Sequence, residues 1–277
     1  MGAFLRKLAA CAQANDSLLC IGLDPDFDLL PGDYARDASG VVAFNQSVIE
    51  ATSDLVCAYK PNLAFYEAMG SAGLRALERT LALIPGHIPT IGDAKRGDVP
   101  NTARAYARAM FGAFGFDSVT VNPYMGPDSL APFLEWEDKG VWVLCRTSNA
   151  GAGAVQDLPV GTGAIEPLYE RILRMLLDLP ARADVGIVVG ATSPAELARM
   201  RTIAPALPLL IPGLGTQGGE ARTAVEAAET GPVVINSSRS ILYGPDATVR
   251  ERALRARDEL NVYRRLPHAA ADGHRPS

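Results

Sequence analysis

The run His87-Ile88-Pro89-Thr90-Ile91-Gly92 passes directly into Asp93-Ala94-Lys95-Arg96-Gly97-Asp98. A short apolar segment with the length of a buried strand ends in a dense cluster of opposite charges. On a continuing strand Asp93 and Lys95, two positions apart, project to the same side. Gly97 permits a sharp turn, and Asp98 opens the next segment. A solvated, salt-bridged turn is the plain alternative for such a cluster, and the rest of the chain decides between the two.

Short apolar runs recur along the 277 residues. They predict strands at Leu18–Leu23, Leu55–Lys60, Ile88–Asp93, Ser118–Asn122, Val141–Cys145, Val185–Val189, Leu207–Ile211 and Val233–Asn236. These runs are rich in β-branched residues and mostly do not alternate, as expected of strands buried on both faces. Between them lie helical stretches at Val41–Ser53, Leu74–Leu83, Thr102–Phe111, Ile165–Leu177, Pro194–Met200, Glu220–Ala228 and Ala247–Leu260, with a weaker one at Asp128–Leu134. Ser193-Pro194 has the form of an N-cap followed by proline at the first helical position. Strands and helices alternating over this length predict a (β/α)8 TIM barrel. A doubly wound open sheet is the alternative, because alternation alone does not show closure. No linker or composition shift divides the chain, so residues 1–266 are expected to form one barrel domain. Residues 267–277 are polar and lack periodicity, and a disordered tail is expected there.

Composition narrows the functional classes. The chain is 48% hydrophobic and 21% charged, with a net charge of -5, which argues against a broad nucleic-acid footprint. No apolar run reaches the length of a membrane span. The segment Met1 to Ala14 lacks the apolar core and cleavage site of a signal peptide, so a cytoplasmic location is expected. Cys11, Cys20, Cys57 and Cys145 are widely spaced and read as buried thiols. Of the three histidines, His87 precedes a strand while His268 and His274 fall in the polar tail. A histidine triad or a histidine-rich metal site has little raw material, and acid-base chemistry falls to Asp, Glu, Lys or Tyr.

In a barrel, polar residues at the C-terminal ends of strands face the functional mouth. That rule selects Asp24, Lys60, Asp93, Lys95, Asn122, Ser148 and Arg239, and it sets His87 aside. Asp24, Lys60 and the Asp93–Asp98 stretch follow three consecutive strands, which are neighbours in a barrel. Their charges would form an alternating network, each opposite pair contributing about 4 kcal/mol at 4 Å before desolvation. The alternative is a set of salt bridges that closes the top of the barrel.

A second group follows the seventh predicted strand, at Pro212-Gly213-Leu214-Gly215-Thr216-Gln217-Gly218-Gly219. Gly213, Gly215 and Gly218 formally spell the dinucleotide fingerprint, but the acidic residue expected about twenty positions later is replaced by Asn236 and Ser237. The position in the chain fits a phosphate site of the barrel type better. Glycines let backbone N–H groups approach a phosphate, and the following helix presents its positive end. Asn236-Ser237-Ser238-Arg239, after the eighth strand, brings a guanidinium beside that loop. A third group, Arg146-Thr147-Ser148-Asn149, offers short donors and acceptors to a polar ring, with a simple Ser/Thr or Asx turn as the alternative. Tyr124 would line the same mouth or pack against it.

Taken together, these motifs resemble the orotidine 5′-phosphate decarboxylase family. The resemblance rests on Tyr59-Lys60-Pro61-Asn62, on the Asp-x-Lys-x-x-Asp pattern of Asp93, Lys95 and Asp98, and on Pro212 to Gly219. Arg146-Thr147-Ser148-Asn149 and Asn236-Ser237-Ser238-Arg239 look most like its longer bacterial, mycobacterial-type (type 2) branch. The likeness runs from about Leu18 to Tyr243. It implies that Lys95 protonates C6 of the pyrimidine as carbon dioxide leaves, that Asp93 lies near the departing carboxylate, and that Lys60 bridges the network and the ribose. Asp24 would bind ribose hydroxyls, and Ser148 would contact the ring. Gln217 and Arg239 would hold the phosphate, with Gly213, Gly215, Gly218 and Ser238 around them. Asp98 and Thr102 would reach the active site of a partner subunit, implying a homodimer. The family uses no metal or organic cofactor. Val99-Pro100-Asn101 departs from the Ile-Gly expected there, and Pro100 suits the first turn of a helix. The rivals are a metal-dependent sugar-phosphate aldolase or decarboxylase on the same fold, and a non-catalytic nucleotide-binding barrel.

Overall fold

Parallel strands need crossover connections, and the helical stretches between the apolar runs supply them. In the computed structural model, which describes residues 1–190, 194–213, 218–227 and 231–265, these runs form one eight-stranded parallel sheet. Its strands are β1 (Leu19–Leu23), β2 (Ala58–Pro61), β3 (Ile91–Arg96), β4 (Ser118–Val121), β5 (Gly140–Arg146), β6 (Asp184–Val189), β7 (Leu209–Pro212) and β8 (Val233–Ser237). The first and last strands pair, with Leu19 opposite Ile235 and Ile21 opposite Ser237. At the remaining seam β2 and β3 are joined by bridges Tyr59–Thr90 and Asn62–Asp93, and the Tyr59 N–H donates to the Pro89 carbonyl at 3.0 Å. The sheet therefore closes into the expected (β/α)8 barrel, and the open doubly wound alternative is excluded.

Strand boundaries shift by up to three residues from expectation, and at β2 and β3 the reasons are identifiable. Leu55, Val56 and Cys57 are buried but precede β2, because side chains take up the carbonyls that a ladder would use. The Ser17 hydroxyl donates to the Leu55 carbonyl at 2.7 Å, and Asn15 Nδ2 donates to that of Val56 at 2.8 Å. Conversely, β3 runs on through its charged residues to Arg96, which pairs with Val121. The helix expected over Thr102–Phe111 begins at Pro100, with proline in its first turn, and passes at Arg108 into a π-helical segment ending at Ala113. A small antiparallel hairpin, Pro159–Val160 with Glu166–Pro167, has no counterpart in the strands read from sequence. Ser193 and the 267–277 tail lie outside the described residues. Among the described residues no helix is long and apolar enough to cross a membrane.

The N-terminal helix Ala3–Ala14 buries Phe4, Leu5, Leu8 and Cys11 along one face. It packs Phe4, Leu5 and Leu8 against Cys20, Cys57, Ile91, Trp142 and Val234, which come from strands and strand entrances around the barrel. Phe4 meets Trp142 edge-on at 5.9 Å. A β-carbon at Gly140 would stand 2.3 Å from the Phe4 ring, so only glycine admits the ring at the start of β5. The Asp184 carboxylate, where β6 begins, accepts from the N–H groups of Gly2 at 2.7 Å and Leu5 at 2.9 Å. It thereby satisfies donors that a helix N-terminus leaves open. The helix seals the face of the barrel opposite to the strand C-termini, leaving function to the other face. Phe4→Ala is expected to lower stability by about 3 kcal/mol, read as a lower urea midpoint. An unchanged midpoint would show that the helix does not seal the barrel.

Candidate active site

At the C-terminal ends of β2 and β3 the charged residues meet. Lys60 Nζ lies 2.6 Å from Asp93 Oδ2, and Lys95 Nζ lies 2.6 Å from Asp93 Oδ1. The Lys60 and Asp93 side chains are 5% and 10% exposed, whereas that of Lys95 is 50% exposed. One carboxylate is thus shared between a sunken ammonium and an accessible one. Burial alone would pull the Lys60 pKa down, but the carboxylates of Asp93 and Asp24 outweigh it and raise the value. Burial likewise opposes ionisation of Asp93, and the two ammoniums overcome it, holding that carboxyl well below the usual range. Lys60 and Asp93 therefore stay charged although both are largely withdrawn from water.

Local backbone geometry presents Lys95. From Gly92 to Arg96 β3 advances four positions while β4 advances two, so the strand bulges. Lys95 takes φ +48, a left-handed conformation that side chains other than glycine rarely adopt and that costs on the order of 1 kcal/mol. The Thr120 hydroxyl, buried on β4, holds the bulge by accepting from the N–H groups of Ala94 (3.1 Å) and Lys95 (3.0 Å). The same hydroxyl donates to Asp93 Oδ1 at 3.0 Å. Thr120 is a site residue that sequence reasoning missed; its one signal was a hydroxyl in the otherwise apolar Val119-Thr120-Val121.

The other charges of the stretch part company. Arg96 pairs with Glu67 and lies over the Tyr106 ring at 5.1 Å. Gly97 passes so close to β4 that a β-carbon would stand 2.6 Å from the Asn122 carbonyl oxygen. Asp98 is partly exposed, and its carboxylate accepts from the adjacent Val99 N–H at 2.7 Å. Within the chain it is not brought to Asp93, and the half-buried Thr102 on the next helix is likewise outside the triad.

Around the rest of the mouth, Asp24 follows β1 with its Oδ1 buried and without a hydrogen-bond partner among the described residues. Ser238 follows β8 and lies directly over Gly22 beside the Asp24 carboxylate. Ser148, after β5, approaches Gly213, after β7: a β-carbon at Gly213 would stand 3.6 Å from Ser148 Oγ, and Gly213 has φ +84. Gln156 fixes the chain beside Ser148, accepting from the Thr147 N–H at 2.8 Å and donating to its hydroxyl at 2.9 Å. Gly218 begins the helix Gly218–Glu226. Arg239 is exposed at the start of the helix Arg239–Leu242. Gly215 and Gln217 lie outside the described residues. Tyr124 is 82% exposed, so it stands at the rim and does not pack within the site.

Known proteins share both the sequence and this architecture. A curated orotidine 5′-phosphate decarboxylase of Herpetosiphon aurantiacus is 54% identical over 241 residues, covering 87% of this chain and 89% of the relative. That of Thermomicrobium roseum is 49% identical over 281 residues, covering 98% and 99%. Among solved structures, the Leishmania donovani OMP decarboxylase superposes with a TM-score of 0.83 at 38% identity, covering 95% of this chain and 99% of that one. Residues 17–253 match the Orotidine 5′-phosphate decarboxylase / HUMPS family. The chain belongs to that family.

Proposed function

We propose that this chain catalyses the cofactor-independent decarboxylation of orotidine 5′-phosphate to uridine 5′-phosphate and carbon dioxide. The observation that carries the reading is the Asp93 carboxylate held at 2.6 Å by both Lys60 and Lys95. The curated relatives supply the substrate by analogy, and this geometry supplies a means of acting on it. Loss of carbon dioxide from C6 leaves an electron pair on a ring carbon with no electron sink. An ammonium fixed beside that carbon stabilises the developing charge without reorganising at the moment of reaction. Lys95 then transfers its proton to C6 and forms the C–H bond as the neutral amine. Its half-exposed side chain regains a proton from water. Asp93 holds the ammonium in place and presents negative charge toward the departing carboxylate. Buried Lys60 keeps Asp93 ionised and reaches toward the ribose.

The remaining polar groups take up the parts of the nucleotide that do not react. Asp24, with a buried oxygen lacking a partner, suits the ribose hydroxyls; Ser148 suits the pyrimidine ring. Gly213, Gly215, Gln217, Gly218, Ser238 and Arg239 are assigned to the 5′-phosphate, whose binding energy is available to close loops and orient the ring. Asp98 and Thr102, left outside the triad within one chain, are assigned to the site of a partner subunit in a homodimer. The motifs at Arg146–Asn149 and Asn236–Arg239 support a place in the longer, mycobacterial-type bacterial branch. A role in pyrimidine synthesis fits a cytoplasmic enzyme.

An ultraviolet assay with orotidine 5′-phosphate, with and without chelator, tests the activity. Turnover is expected in both, and Lys95→Ala should abolish nearly all of it while uridine 5′-phosphate still binds. Turnover lost to the chelator would point to the metal-dependent rivals, and near-normal turnover by Lys95→Ala would remove Lys95 as the proton donor.

Mixing Lys95→Ala with Asp98→Ala protomers, each inactive alone, tests the shared site. Subunit exchange should restore a substantial part of the activity, since one site of each mixed dimer is intact. No restoration, with exchange verified by mass, would place Asp98 in its own subunit's chemistry or in none.

The charge state of the triad has its own test. A depressed carboxylate pKa contributes stability in full above the ordinary value of 3.8, which is lost as pH falls through the lowered one. A raised lysine pKa contributes in full below the ordinary 10.5 and is lost as pH rises through the higher value. The 13C shift of the Asp93 carboxyl should therefore stay constant from about pH 8 down to about pH 4. A titration midpoint near 4 would mean that the two ammoniums do not hold it.

A further inference from the structure

The helix Arg239–Leu242 runs out at Tyr243, whose N–H donates to the Arg239 carbonyl at 2.9 Å. The phenol thus leaves the chain one turn beyond the guanidinium assigned to the phosphate. Its hydroxyl donates to the Asp24 carbonyl at 2.9 Å and accepts from the Asp26 N–H at 2.9 Å. These bonds join segments 219 and 217 positions apart in sequence. The ring stacks on Phe44 at 5.7 Å with an interplanar angle of 10°, and Phe44 is in turn met edge-on by Tyr34. Packing therefore fixes the direction of the phenol. Burial pushes its pKa up to about 12, so it keeps the proton it donates.

The same junction is built from two further sides. A β-carbon at Gly22 would stand 1.9 Å from Ser238 Oγ and 3.1 Å from Asp24 Oδ2, so Ser238 and Asp24 share the space above one glycine. Behind the short helix, Arg252 donates to the carbonyls of Ile241 (2.7 Å), Gly244 (2.5 Å) and Leu242 (3.3 Å), and to that of Ala247. The end of the helix is thereby fixed to the C-terminal helix Val249–Arg265. Asp24, meanwhile, keeps a buried carboxylate oxygen without a partner among the described residues. Such an oxygen is costly to bury unless a ligand hydroxyl meets it, and where it points is set by the backbone that Tyr243 holds.

We propose that the Tyr243 hydroxyl is a positioning group that couples the phosphate grip at Arg239 to ribose recognition by Asp24. The coupling rests on the ribose and phosphate roles assigned above. A ligand that settles the Arg239 helix through its phosphate also settles the Asp24 backbone, so the ribose hydroxyls find a carboxylate already aimed.

Tyr243→Phe keeps the ring and its stack on Phe44 and removes only the hydroxyl. It is expected to raise KM for orotidine 5′-phosphate roughly five- to tenfold with kcat changed less than about twofold. It should also reduce, by a similar factor, the preference for uridine 5′-phosphate over 2′,3′-dideoxyuridine 5′-phosphate. In an Asp24→Ala background the same substitution should cost little, because the group it aims is gone. A phenol with a merely structural role would cost the same in both backgrounds and would leave the ribose preference intact; either result overturns the coupling. So does a variant with unchanged KM beside an active wild-type chain. A wild-type chain that neither binds nor converts these nucleotides overturns the functional reading, and this inference with it.

Discussion

One carboxylate, that of Asp93, sets the terms for the mouth of this barrel. It lies 2.6 Å from each of two ammoniums, and one of them, Lys60, is buried against it. Removing Asp93 would take from buried Lys60 its one ion pair and leave only the through-space charge of Asp24 to offset its own, a change that costs several kcal/mol in folded proteins. The sheet is arranged to deliver this contact. β2 brings Lys60 up from below, β3 bulges to turn Lys95 back over the carboxylate, and Thr120 on β4 ties the bulge to Asp93. The result is a fixed pattern of charge at the edge of water, the kind of preorganisation that chemistry on a developing carbanion requires.

Much of this was legible in the chain, because the information was local. Apolar runs without alternation gave buried parallel strands, and the polar residues at their C-terminal ends gave the residues of the mouth. The grouping of Lys60, Asp93 and Lys95 followed from the adjacency of consecutive barrel strands. An i, i+2 spacing puts Asp93 and Lys95 on one side of a flat strand, but in the molecule they meet with Lys95 in a left-handed bulge. Periodicity cannot show such a bulge, because it depends on a hydroxyl on the neighbouring strand.

What escaped the sequence reading was set by contacts between distant segments. Arg96 belongs to the same charge cluster as Lys95 by position, yet Glu67 and Tyr106 draw it away from the site. The helix Ala3–Ala14 carries an apolar stripe at Phe4, Leu5, Leu8 and Cys11, but its partner, the floor of the barrel, exists only once the strands have closed. Tyr243 lies beyond the last strand, and nothing near it in sequence points to Asp24.

The seal at the barrel floor has a consequence for how the chain is made. The helix Ala3–Ala14 is made before β5 and β6 and cannot dock until they exist, since Trp142 and Asp184 are what it docks against. Closure of β1 on β8 waits longer still, until Ile235 and Ser237 have emerged. During synthesis the N-terminal segment therefore carries an unmatched apolar stripe for most of the length of the chain, the sort of surface that invites association with other chains. Contacts of such long sequence separation also slow folding, because loop closure must precede their reward. The helix that stoppers the finished barrel is thus made well before the floor it has to cover.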